Sequence, residues 1–296
     1  MSLCLYDNDF VKFEHDGKRL CLHVHNDDTP DDPRSWETPI TTMACFLRRH
    51  KLGDDIGTSD PDEFWQGLVA TFVPDTELIQ AVQDGKASGM KLEPNDDPDC
   101  VTLCVLSYWA TPFSSSERDW TYDSVDKDPR WLADAIRENL SIGNCQSLLE
   151  PYLEWLPLWV YEHGGITMSC GDRSYPYNDR WDSSCAGWIM MSKETALKER
   201  IGCCNESNWR EKAISDMQAE VELYDQYLTG DVYGYTLMEE TSPDEWTEVD
   251  SCWGFYGADV LTNGIADNVP GLAEAVASGQ HEEGKAERHT VVTYSY

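Results

Sequence analysis

Carboxylates outnumber cationic side chains by more than two to one along this whole chain, so any fold it adopts must keep them apart and in water. There are 55 Asp and Glu against 22 Lys and Arg in 296 residues, a formal net charge of −33 at pH 7. The excess is not a tail: residues 1–150 carry 29 acids and 13 bases, and residues 151–296 carry 26 and 9. Such a surface repels phosphate backbones and anionic lipid headgroups and favours basic partners. Direct nucleic-acid and membrane binding are therefore not expected. Three readings of the acidity remain: solubility, adaptation to high salt, and a surface shaped to meet a DNA-handling protein. Few lysines suit the second, but abundant Cys and Trp do not, since salt already strengthens apolar burial.

The remaining composition is that of a globular chain, with 41% hydrophobic residues, 12 Trp and 14 Tyr. No stretch approaches the roughly 18 consecutive apolar residues of a membrane span, and the start MSLCLYDNDF lacks the basic and apolar segments of an export signal. A cytoplasmic location is expected, and the 11 scattered Cys read as reduced thiols.

Acidic segments punctuate the first half at 26–37, 54–64, 93–99 and 119–128, the first three holding an Asp-Pro pair and the fourth running into Pro129, and all four read as loops. Between them Arg19–His25 and Cys100–Trp109 read as strands, the second apolar enough to be buried on both faces. Helices are predicted over Asp62–Phe72, Thr76–Gln83 and Pro129–Leu140, the last capped by Asp128. In the second half Leu158–Tyr161, Ala186–Ser192, Val232–Met238 and Thr290–Tyr296 read as strands. Asn208–Thr229 carries Trp209, Ala213, Met217, Val221, Tyr224 and Leu228 on one helical stripe, with Gly230 to end it. The fold class is α+β, with mixed sheets, packed helices and an acidic, loop-rich N-terminal half. The expected regions are 1–150 and 151–296, with a boundary near 140–155 or one domain throughout.

No constellation makes a strong case for catalysis, and no cofactor is expected. His23 and His25 lie on one face of a strand, and Asp27 could complete a metal site for a metal-dependent hydrolase. The order of ligands does not follow the hydrolase pattern, and a solvent-facing strand edge explains the pair as well. His163, Asp182, Ser183, Ser184 and Cys185 offer a nucleophile and a base, without a G-x-S-x-G elbow or a cysteine-protease signature; the plainer role is a His and an Asp holding a glycine turn. Phosphate-loop and dinucleotide motifs are absent. Arg48-Arg49-His50-Lys51 is the single basic cluster, expected to pair with the chain's own acids.

What stands out are dense strings of glycine and aromatics: YEHGGITMS (161–169), RWDSSCAGWIMMSKE (180–194), AEVELYDQYLTGDVYGY (219–235) and DSCWGFYGAD (250–259). A turn glycine beside an aromatic with a polar tip suits a rigid scaffold or an interface. In their order and over roughly 158–257 these strings resemble a family of proteins found mainly in phages and mobile elements, with Gly164 and Cys185 standing where that family has Ser and Gly. Its members look like the anti-Gabija anti-defence proteins. The resemblance implies a phage-encoded inhibitor, acting in the host cytoplasm as a homo-oligomer, that binds the Gabija nuclease–helicase complex and blocks its engagement of DNA without catalysis. A DNA-mimic inhibitor of a restriction or CRISPR nuclease is the neighbouring alternative. Asp27, Asp28, Asp31, Asp32, Asp54, Asp55, Asp60 and Asp62 are the candidates for steering a basic partner, and Trp65, Trp120, Trp246 and Trp253 the candidates for anchoring it.

Overall fold

The computed structural model describes residues 2–109, 117–171, 181–200 and 202–286, and the strand expected over Thr290–Tyr296 lies outside them. Among the described residues the fold is α+β, with eight helices and twelve strands whose registered pairs all run antiparallel. The chain forms two compact units interleaved in sequence, not divided at one point near 150. The first unit takes Met1–Pro39, Leu158–Cys185 and Gln218–Tyr296, and the second takes Ile40–Pro157 and Ala186–Met217.

The first unit is built on a five-stranded sheet. It comprises β1 (Asp9–His15), β2 (Lys18–Asn26), β10 (Val232–Ser242), β11 (Glu245–Tyr256) and β12 (His281–Lys285), in the order β11-β10-β2-β1-β12. Alternation along β2 buries Leu20, Leu22 and Val24 with Val11, Phe13, Tyr233, Tyr235 and Leu237. Short helices α7 (Ile265–Asn268) and α8 (Leu272–Ser278) cover this side through Ile265, Leu272 and Val276. The hairpin of β7 (Leu153–Glu162) and β8 (Ile166–Cys170) completes the unit from Leu158 onward. The carboxylate of Asp225 accepts the Met168 N–H at 2.7 Å, and burial raises its pKa above the ordinary Asp value.

The second unit packs four helices on a three-stranded sheet of β4 (Met90–Pro94), β5 (Cys100–Trp109) and β6 (Glu117–Asp126). These are α1 (Pro61–Phe72), α2 (Asp75–Gln83), α3 (Pro129–Glu138) and α4 (Ile142–Leu149). β6 corrects the loop expected at 119–128: its Asp and Thr residues form the outer edge of a hairpin with β5. β5 is also less buried than its apolar run suggests, with Leu103 and Cys104 its fully buried residues among those whose side chains are described. Helix starts follow local chemistry. Asp60 and Asp128 accept N–H groups of Asp62 and Arg130 ahead of Pro61 and Pro129, and Ser141 caps α4. β3 (Thr42–Cys45) pairs with β9 (Ser183–Ser192), and α5 (Lys193–Glu199) follows.

Helix α6 (Trp209–Thr229) buries Trp209, Ala213, Met217, Val221 and Tyr224 and ends before Gly230 at φ +73°. Two of its acids are tied to cations: Asp216 to Arg200 and Glu220 to Arg34.

At the centre of the second unit stands Trp65, with 0% of its surface exposed. The ring meets Trp155 and Trp188 edge-on, at centroid distances of 5.5 and 5.4 Å. Its buried indole N–H has no hydrogen-bond partner among the described residues. Trp65 is thus a core residue, which corrects its expected place as a surface anchor. Truncation to alanine leaves a large cavity, so Trp65→Ala is predicted to lower stability by about 3–5 kcal/mol in urea denaturation. A loss under about 1 kcal/mol would contradict this packing.

Candidate functional site: an acidic, aromatic-walled cleft

The side of the five-stranded sheet opposite the core carries a ladder of rings. Phe10 lies 5.7 Å from His23, His23 stacks on His25 at 6.4 Å, and His25 stacks on Trp253 at 5.9 Å. Glycines seat both ends. Gly234 pairs with Trp253 across β10–β11, and a Cβ there would collide with the indole; Gly284 pairs with Phe10 and is covered by that ring in the same way.

Beside the Trp253 end of the ladder opens a cleft of about 730 Å³. It is lined by Trp253, Gly254 and Tyr256 of β11, by Asn26 at the end of β2, and by Asp27, Asp28, Thr29, Asp31 and Trp36 of the segment after it. The acidic loop is held rigidly. Asp27 N–H bonds the Val232 carbonyl at 2.9 Å, and its carboxylate accepts the Thr29 N–H at 3.0 Å. Asp32 accepts the Arg34 N–H and starts a 3-10 turn over Pro33–Ser35. The Arg34 guanidinium, almost fully buried, bonds Glu220 at 2.5 Å. The Tyr256 hydroxyl donates to the Asp31 carbonyl, and its ring meets Trp36 edge-on at 5.4 Å. Burial first, then Asp31, Asp27 and Asp32, pushes the Tyr256 phenol up to about 12, so it stays a donor at physiological pH.

Among the described residues no Lys, Arg or His lies within ion-pair distance of the carboxylates of Asp27, Asp28 or Asp31. Trp253, 52% exposed, and Trp36, 37% exposed, present ring surface next to them. Carboxylates supply net charge and indole faces supply a negative quadrupole, so the cleft is suited to an organic cation: a guanidinium or an ammonium.

The structure brings Asp27, Asp28, Asp31 and Trp253 together and gives the other sequence candidates different surroundings. Asp32 is the cap already described. Asp54 accepts the Met43 N–H at 2.8 Å, and Asp55 the Gly57 N–H at 3.3 Å. Asp60 caps α1, and Asp62 lies in its first turn. Trp120 is covered by Lys91 at 4.6 Å, and Trp246 by Lys12 at 5.7 Å and Arg19 at 5.9 Å, so both rings already hold a cation of the chain itself. Sequence reasoning missed Trp36 and Tyr256, whose contacts with each other and with Asp31 join residues more than 200 positions apart, and Gly234, whose place under Trp253 depends on the register of β10 and β11.

The metal and nucleophile alternatives meet specific geometry. Among the described residues no group of three or more His, Cys, Asp or Glu could hold a metal ion, so His23, His25 and Asp27 do not form a three-ligand set. His23 Nε2 lies 3.3 Å from Cys21 Sγ. Burial pushes the Cys21 thiol up to about 11, partly offset by Lys12, and lowers His23, so the pair is a neutral thiol beside a neutral imidazole. His163 Nδ1 bonds Asp182 at 2.8 Å while the Glu162 N–H reaches the Asp182 carbonyl at 2.6 Å, which ties the glycine turn after β7 to the start of β9.

Comparison with protein-family models, curated proteins and solved structures returned no match. No helix among the described residues is long and apolar enough to cross a membrane.

Burial is the main cause that lowers both His23 and His25 below the ordinary 6.5, with His25 itself adding to the effect on His23. The unfolded chain therefore binds these protons more readily than the folded one. Their contribution to stability is present above pH about 6.5 and is lost as pH falls from there through the folded-state values. A His23→Gln, His25→Gln variant is predicted to lose less stability than the parent between pH 8 and pH 5, read by denaturant midpoints; equal losses would contradict the assignment.

Proposed function

We propose that this protein is a non-catalytic inhibitor that binds a basic, DNA-handling protein, and that its partner is a host defence nuclease complex of the Gabija type whose access to DNA it blocks. The observation that carries the reading is the cleft of Asp27, Asp28, Asp31, Trp36, Trp253 and Tyr256, where unpaired carboxylates meet exposed indoles. A nuclease surface that grips phosphates is rich in Arg and Lys. One such side chain entering this cleft would exchange phosphate for carboxylate and stack on Trp253. The net charge of −33 adds long-range steering toward the same surface and repels the DNA that competes for it. The aromatics supply the residence time and the carboxylates the rate of encounter.

The test is an affinity pull-down of the tagged full chain from cells expressing a panel of defence nucleases that includes Gabija, with size-exclusion mass analysis of what is recovered. A stable complex with one nuclease is expected, which Trp253→Ala weakens at least about tenfold. The exposed double change Asp28→Asn, Asp31→Asn, which leaves the sheet packing untouched, is expected to slow association and flatten its salt dependence. Failure to recover any nuclease, or a complex indifferent to both variants, would overturn the proposal.

A further inference from the structure

The second unit holds a feature of opposite sign. Most described cations of this chain sit within ion-pair distance of an acid, as Lys18, Arg19, Arg34, Arg137, Arg200 and Arg210 do. Arg48, Arg49 and Lys51 do not: all three are exposed, and none has an acidic partner among the described residues. For these three residues this corrects the expectation that the basic cluster pairs with the protein's own acids. In a chain with so many carboxylates, three unneutralised cations within four positions mark a place where positive charge is kept available.

They line a cavity of about 610 Å³. The loop that carries them is closed at its base. Phe46 N–H bonds the Ala186 carbonyl at 2.7 Å, Asp54 N–H bonds the Met43 carbonyl at 2.9 Å, and the Asp54 carboxylate accepts the Met43 N–H. Gly53, at φ +70°, passes directly under the Met43 carbonyl where a Cβ would collide with that oxygen, so the return of the loop is fixed. Leu47, Leu52 and Ile56 give the cavity an apolar wall, and Ser59 sets a hydroxyl at its margin. The two acids in the lining, Asp54 and Asp55, accept backbone N–H groups of Met43 and Gly57.

We propose that this loop is a binding site for a small phosphorylated molecule of nucleotide size. Two guanidinium forks and an ammonium match the geometry and charge of a phosphoryl group, and the aliphatic wall takes the uncharged part of the ligand. The volume lies within the range of small-molecule sites. The phosphoryl group belongs to a small molecule and not to a nucleic-acid strand. A long polyanion is repelled by the carboxylates of a chain of net charge −33, whereas a compact anion in physiological salt feels charges within about 8 Å.

The experiment is isothermal titration of the full-length protein with inorganic phosphate, adenosine, adenosine diphosphate and a single-stranded 20-nucleotide DNA. One saturable site for the diphosphate is expected, at least about tenfold tighter than for phosphate or adenosine alone. Arg48→Gln, Arg49→Gln is expected to weaken it at least about tenfold, and Lys86→Gln, an exposed cation outside the cavity, to change it less than about twofold. Absence of saturable binding of the diphosphate up to about 10 mM would overturn the inference. So would equal weakening by Lys86→Gln, or tighter binding of the DNA than of the diphosphate. The measurement involves no nuclease, so its outcome is separate from that of the inhibitor proposal.

Discussion

A chain with a net charge of −33 folds only if mutual repulsion among its carboxylates is answered locally, and here much of the answer comes from its own backbone. Asp32, Asp60 and Asp128 accept N–H groups at the starts of helices, where the helix dipole also favours negative charge. Asp54 and Asp225 hold the N–H groups of Met43 and Met168. Asp259 accepts those of Leu3 and Leu261; burial raises its pKa, but these bonds together with the Ser2 and Thr262 side chains hold it below the ordinary Asp value. Acids placed in this way organise turns as well as carrying charge. The carboxylates left without such a partner are then the informative ones, and in the first unit Asp28 and Asp31 lie in one cleft with exposed indoles.

The same logic applies to cations. With 22 Lys and Arg and so many acids available, pairing is the default, and an unpaired cation is the exception that needs a reason. Surface pairs contribute little stability individually, so their value here is in lowering repulsion across a crowded surface. Arg34 is the case where a pair is structural: its buried guanidinium on Glu220 fixes the loop that forms one wall of the cleft. On the two proposals made above, the units would offer sites of opposite preference, one for an organic cation and the other for an anion.

Much of the architecture was legible in the sequence where local chemistry decides it. Asp128-Pro129 marks the start of α3, the six-residue stripe from Trp209 to Leu228 marks α6, and Arg19–His25 falls inside β2. Errors arose where charged and polar residues mask a strand, and where the grouping of elements is non-local. The acidic segment 119–128 read as a loop because its charge hid a strand that pairs with the neighbouring β5. β1 and β11, also hairpin partners of the strands next to them, escaped notice because their polar residues obscure the alternation. The interleaved units are non-local, since the chain leaves and re-enters each one. Of the candidate site, Asp27, Asp28, Asp31 and Trp253 were visible as residue types in polar or glycine-rich segments. Trp36 and Tyr256 were not, because only their edge-on contact in the folded chain brings them to the same cleft. Trp65, in a short run that looked like any other aromatic segment, became the centre of a core once Trp155 and Trp188 closed over it.

The account rests on the cleft taking a cationic side chain, and its most direct test is the indole N–H region of the proton–nitrogen spectrum during titration with an arginine-containing peptide at about 0.15 M salt. The signals of Trp36 and Trp253, assigned through Trp36→Phe and Trp253→Phe, are predicted to shift together and saturate while that of buried Trp65 stays in place. An acidic peptide of the same length is predicted to leave all of them unchanged. Shifts spread evenly over the 12 tryptophans, or no saturable change at Trp36 and Trp253, would contradict the account.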